Sequence, residues 1–177
     1  TLSTGGGYAL LEELKYTETE ATFFYTRQSV PRGLADAVNK ARDFVGDDHF
    51  VVALGDSIIR SGDGSSLVHD MIAIHLRSGA GCTVAVEEVD PSEVYRYGIV
   101  RPAEGADQGD EFEVEDLVEK PRVQAAPSNL AIAARYVFSP AIFEAIGRTA
   151  PDRNGELQLT DSIRLLLHLG HQVRAVR

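Results

Sequence analysis

Phe50-Val51-Val52-Ala53-Leu54 is apolar at every position and ends at Gly55. A run this short with no polar face predicts a strand covered on both sides, as in a parallel sheet flanked by helices. Residues 82–86, Cys-Thr-Val-Ala-Val, read as a second buried-strand run, with Thr83 its one polar side chain. Between them Leu67, Met71, Ile74 and His75 fall on one helical face. Upstream, residues 21–26 are rich in aromatic and β-branched side chains and read as a strand. Pro31 and Gly33 punctuate a turn, after which Leu34, Ala37, Val38, Ala41, Phe44 and Val45 follow helical spacing. Strands alternating with helices predict an α/β domain with crossover connections.

The pattern then changes. Residues 97–100, 112–118 and 130–138 read as strands without long helices between them, an antiparallel or mixed extension of the sheet. Residues 105–110 are acidic and loop-like, a hairpin tip. Residues 140–146 predict a short helix with proline in its first turn. Residues 159–169 predict a longer helix, and residues 173–176 a last strand. Residues 8–15 carry a short helical pattern, and residues 1–7 and 61–66 are glycine-containing and loop-like. No repeat or linker divides the chain, so residues 1–177 read as one domain.

A formal net charge of −10 argues against a nucleic-acid or acidic-membrane surface, which needs a basic face. It leaves a nucleotide substrate open, because a carboxylate-held metal can receive phosphates on an acidic protein. The one cysteine, Cys82, excludes an internal disulfide and a cysteine zinc cluster, and reads as a small buried side chain. No apolar run approaches the ~18–20 residues that span a bilayer, and the N-terminus shows no signal-peptide pattern. These features predict a soluble cytoplasmic protein.

Three places can carry chemistry. The first is Leu54-Gly55-Asp56. In open α/β sheets ligands bind beyond the carboxyl ends of strands, so Asp56 stands where Mg²⁺ would be held, with water and phosphates completing the shell. Asp56 could equally cap a turn. The second is the loop from Gln28 to Gly33, which opens a helix. The Gln28 amide can read a pyrimidine edge, Gly33 allows close approach to a flat base, and the helix N-terminus behind favours negative charge. An ordinary turn explains the same residues. The third is Val118-Glu119-Lys120-Pro121. Neighbours on a strand point to opposite faces. Glu119 and Lys120 therefore share a ligand only where the strand ends or twists, as Pro121 permits. Otherwise they form a surface ion pair.

Other features carry less. Gly5-Gly6-Gly7 has no strand before it to make a phosphate loop. The five histidines lack metal-ligand spacing, and no Gly-x-Ser-x-Gly nucleophile motif occurs.

Taken in order, Gln28, Gly33-Leu34-Ala35-Asp36-Ala37, Leu54-Gly55-Asp56, Tyr97-Gly98-Ile99-Val100, Val118-Glu119-Lys120-Pro121, Pro127-Ser128-Asn129-Leu130-Ala131-Ile132 and Gly155-Glu156-Leu157-Gln158-Leu159-Thr160-Asp161 resemble the bacterial UTP–glucose-1-phosphate uridylyltransferases, members of the sugar-1-phosphate nucleotidylyltransferases. The resemblance runs from about residue 8 onward. It implies a Rossmann-like nucleotidyltransferase fold with a mixed, mostly parallel sheet flanked by helices. It implies that UTP and glucose 1-phosphate give UDP-glucose and pyrophosphate. Gln28, Gly33, Gly55 and Asp56 would serve the nucleotide, Asp56 also holding the Mg²⁺, and Gly98, Glu119 and Asn129 the sugar. Lys120 would meet the sugar phosphate, residues 156–161 would flank the sugar, and the protein would be a homodimer or homotetramer. Asp56 and Lys120 would be the catalytic pair.

Two family features have no match in this sequence. They are the first βαβ portion with its glycine-rich triphosphate loop and lysine, and a second metal-binding aspartate after the last strand. Charge-assisted hydrogen bonds contribute about 1.5–3 kcal/mol each, so without that loop the 177 residues alone are expected to be inactive. Three other readings compete: a thymidylyltransferase, a non-catalytic sugar-nucleotide-binding homologue, and a metal-dependent glycosyltransferase. The last usually carries Asp-x-Asp, which Asp56-Ser57-Ile58 does not match.

Overall fold

The computed structural model describes residues 22–59, 66–106 and 109–177. The expected helix at 8–15, the glycines at 5–7 and most of the loop at 61–66 lie outside them. The elements run α1 (Leu34–Asn39), α2 (Arg42–Val45), β1 (Phe50–Ala53), α3 (Leu67–Ser78) and β2 (Cys82–Glu88). After a 3-10 turn at Pro91–Arg96 come β3 (Gly98–Pro102) and β4 (Glu111–Glu119). A second turn at Val123–Ala125 leads to β5 (Leu130–Phe138), α4 (Ala141–Arg148), α5 (Leu159–His168) and β6 (Val173–Val176). The helical spacing over 34–45 resolves into two short helices, because the ladder of bonds is interrupted at Lys40 and Ala41. Residues 22–26 lie exposed and outside any described ladder, so the strand expected at 21–26 is not found there.

Six strands form one mixed sheet in the order β1-β5-β2-β6-β4-β3, and Ile99 on β3 bridges back to Ala131 on β5. β1, β2, β3 and β6 run one way, while β4 and β5 run against them. The expectation of a mostly parallel sheet holds for strand direction but not for neighbours. The β2–β6 ladder is the sole parallel one among the described residues. β5 inserts between β1 and β2 and turns both contacts antiparallel.

β2 fulfils its two-faced pattern, with Cys82 through Val86 all buried. On one face, Ile142 and Ile146 of α4 and Leu159, Ile163 and Leu166 of α5 pack with Val84, Val86 and Phe138. On the other, Met71 and Ile74 of α3 meet Ala85, Val137 and Val176. Each fully buried aliphatic side chain contributes about 1.5–3 kcal/mol, so these helices are held chiefly by their apolar stripes. β1 departs from expectation. Its burial alternates, with Phe50 and Val52 half-buried and Val51 39% exposed. Among the described residues β1 has a ladder on one side only, and Val51 faces away from the core.

Candidate active site

Beyond the carboxyl ends of β1 and β2 opens a cavity of about 850 Å³. Its walls come from the turn after β1, the inner half of β5, the β3–β4 ribbon and the first turn of α5. Asp56, Gly98, Glu119 and Lys120 all line it. Asp56 sits in the turn that ends β1 and is exposed toward solvent.

Glu119 and Lys120 share the cavity because the backbone breaks its alternation between them. Lys120 has φ 44, a left-handed conformation uncommon outside glycine. Its N–H is held by Tyr97 O at 2.9 Å, and its Nζ lies 3.5 Å from Glu119 Oε1. Such strain clusters at functional sites. Gly98 is directly opposite Glu119 in the β3–β4 ladder. A Cβ there would lie 2.7 Å from Thr160 Oγ1 and 3.3 Å from Glu119 Oε2, so a side chain would intrude on the carboxylate. Burial raises the Asp161 carboxyl above its ordinary range, and the nearby Glu119 charge adds to this. Tyr136 also lines the cavity, and burial pushes its hydroxyl well up, keeping it neutral. The site thus offers an ammonium, carboxylates, a hydroxyl and a phenol at one mouth.

The remaining expected residues are not in the cavity wall, although Gly55 stands between Leu54 and Asp56, which are. Gln28, Gly33, Gly55 and Asn129 do not line the cavity, although Leu34, next to Gly33, does. Gln28 Nε2 donates to Gly33 O at 3.2 Å and Asp36 Oδ2 at 2.7 Å. Both amide hydrogens are thereby engaged, one by the loop and one by α1, and the carbonyl alone is left to meet a base. That same bond, above all, holds the Asp36 carboxyl below its ordinary range, with Lys40 assisting. Gly33 is glycine for a packing reason. At φ 97 and ψ 172 it adopts a conformation restricted to glycine, and a Cβ would lie 2.5 Å from Leu157 O. Bonds from Leu157 N–H to Arg32 O at 2.8 Å and from Ala35 N–H to Leu157 O at 3.0 Å clasp this loop to the 156–160 segment. Asn129 joins the strands, its O accepting from Val89 N–H at 3.0 Å. Among the described residues, nothing lies within 4 Å of where a Cβ would stand at Gly55.

Sequence reasoning passed over Tyr136 and Arg135, which lay in the run read simply as the strand 130–138, whereas Thr160 fell in the 156–161 segment expected to flank the sugar. Arg135 is the one charged residue in β5, which was the available signal.

The sequence matches the nucleotidyl transferase family over residues 8–177. A UTP–glucose-1-phosphate uridylyltransferase of Staphylococcus saprophyticus is 40% identical over 165 residues, covering 93% of this chain and 55% of the relative. The crystal structure of a UDP-glucose pyrophosphorylase complexed with UDP-glucose superposes with a TM-score of 0.80 and 34% identity, covering 88% of this chain and 57% of that one. A UTP-bound UGPase from Acinetobacter baumannii gives a TM-score of 0.81 and 36% identity, covering 96% and 57%. The chain therefore spans just over half the length of these relatives. Since sequence and backbone agree along nearly all of its length, the chain belongs to the nucleotidyl transferase family.

Proposed function

We propose that the protein carrying these residues transfers a uridylyl group from UTP to glucose 1-phosphate, giving UDP-glucose and pyrophosphate. The observation that carries this is the meeting of Asp56, Gly98, Glu119 and Lys120 at one cavity. It is supported by the likeness to proteins that bear this activity in their names. An oxygen of the sugar phosphate attacks the α-phosphorus of UTP. The bond from that phosphorus to the bridging oxygen breaks, and the oxygen leaves on pyrophosphate. No protein nucleophile is required, so the work falls on alignment and charge neutralisation.

Glu119 accepts hydrogen bonds from sugar hydroxyls, and Gly98 leaves room for the ring against it. Lys120, held outward by its left-handed backbone, offsets repulsion between the two anionic substrates. The Gln28 carbonyl is the group left to face the base. Asn129 braces the strand ends behind the sugar subsite. A single carboxylate at Asp56 suits Mg²⁺, which keeps most of its water and shares substrate phosphates. No group of three His, Cys, Asp or Glu side chains able to cage a metal occurs among the described residues. Bound there, Mg²⁺ would supply charge neutralisation at the phosphates.

The exposed Phe24, Tyr25 and Phe44 give the protein apolar surface to cover, which supports a homodimer or homotetramer. No described helix is long and apolar enough to cross a membrane, and a substrate pair of nucleotide and sugar phosphate fits a cytoplasmic setting. The test is pyrophosphate release by the intact protein across four nucleoside triphosphates and several sugar phosphates, with Asp56→Asn alongside. UTP with glucose 1-phosphate should be preferred, and Asp56→Asn should abolish turnover while melting normally. Full activity in that variant would remove Asp56 from the mechanism.

A further inference from the structure

The Asp56 turn is held from the neighbouring strand. Arg135 Nη1 donates to Leu54 O at 3.1 Å and to Ala134 O at 2.9 Å, and Nη2 donates to Ser57 O at 2.8 Å. Leu54 and Ser57 flank Gly55 and Asp56. A turn of this kind is commonly closed by a backbone bond from its fourth N–H to its first carbonyl. Here the described backbone bonds include none from Ser57 to Leu54. The guanidinium bridges the two carbonyls instead. The planar fork fits this task, since its donors are fixed relative to one another and can span two acceptors at once.

The strand itself is shaped for the contact. Ala134 has φ 56, a left-handed conformation that an alanine seldom adopts, and its O also accepts from Leu54 N–H at 3.1 Å. One backbone kink in β5 thus meets β1 through Leu54 and receives the Arg135 guanidinium.

We propose that Arg135 is the positioning residue of the site, presenting Asp56 to a divalent cation without touching the cation itself. This rests on the reading of Asp56 as the Mg²⁺ ligand. Groups that orient a metal ligand are worth about 10–100-fold in metal affinity. Lysine cannot replace arginine here, because one ammonium does not span both carbonyls in fixed geometry.

The test uses the intact protein with UTP bound and Mn²⁺ as the probe, read by electron paramagnetic resonance. Wild type, Arg135→Gln, Arg135→Lys and Asp56→Asn are compared below their melting temperatures. Amide exchange at residues 55–57 is followed without metal. The expected result is Mn²⁺ affinity weakened about 10–100-fold in Arg135→Gln, faster exchange at 55–57, and unchanged exchange in β2. Arg135→Lys should resemble Arg135→Gln more than wild type. A merely structural arginine would lower the melting temperature and leave Mn²⁺ affinity alone. If Arg135→Gln does not fold, Arg135→Lys decides by the same comparison. Wild-type Mn²⁺ affinity in a folded Arg135 variant, with affinity lost in Asp56→Asn, overturns the inference and leaves the proposed function standing. Wild-type affinity in Asp56→Asn overturns the metal reading and this inference with it.

Discussion

His75 makes folding of this chain sensitive to mild acid. It lies on the buried face of α3 with 0% exposure. Its Nδ1 is 3.1 Å from Thr83 Oγ1, and its Nε2 is 2.8 Å from His49 Nδ1. Burial, and secondly the His49 ring, lower its pKa from the ordinary 6.5 to about 4. The unfolded chain therefore takes up a proton near pH 6.5 that the folded chain refuses until about pH 4. A pKa depressed by folding gives stability that is complete above 6.5 and is lost as pH falls toward 4. At about 1.4 kcal/mol per unit, the loss between pH 7 and pH 4.5 comes to about 2 kcal/mol. The carboxyls of Asp36 and Asp152 are also depressed, chiefly by hydrogen bonds from Gln28 and from the Glu156 N–H, but their contribution fades only below about 3.8. The raised Asp161 works in the opposite sense, since protonation in the folded state relieves its burial. Urea unfolding followed by circular dichroism at pH 7, 5.5 and 4.5 should show the loss in wild type. His75→Gln should flatten the profile over that range by most of it. Equal losses in the two proteins would refute the assignment to His75.

Two glycine substitutions test the packing of the site. Gly33→Ala forces an alanine into a glycine-only conformation and drives its Cβ against Leu157 O. The cost should be about 2–4 kcal/mol, read as a drop in melting temperature with faster exchange at Leu157 and Ala35. Gly98→Ala meets the movable Thr160 hydroxyl and the Glu119 carboxylate rather than backbone. It should raise the KM for glucose 1-phosphate at least tenfold in the intact protein and leave the KM for UTP nearly unchanged. A rise for both substrates would place Gly98 outside the sugar subsite.

Some of this molecule was written in local chemistry. The run from Cys82 to Val86 could go only where both faces are covered, and β2 does. Leu159, Ile163 and Leu166 share a helical stripe, and that stripe is buried. Glu119, Lys120 and Asp56 announced themselves as charges placed where strands end, and Pro121 marked the place where alternation would fail. Such features are legible because hydrophobic spacing and turn chemistry act between near neighbours.

What lay beyond the sequence was decided by partners distant along the chain. The apolar run at 50–54 reports that it is apolar, not which strand lies beside it. β5, some eighty residues later, inserts there and makes the ladder antiparallel. Gln28 looked free to read a base until the loop closed and Gly33 O and Asp36 took its amide hydrogens. Arg135 stood out as the one charge in an apolar strand, but the sequence did not say what it holds, because its acceptors are main-chain carbonyls, and a carbonyl looks the same under every side chain. Local side-chain pattern therefore determined which segments are buried and where the charges stand. Long-range backbone pairing decided which of those charges meet and what holds them there.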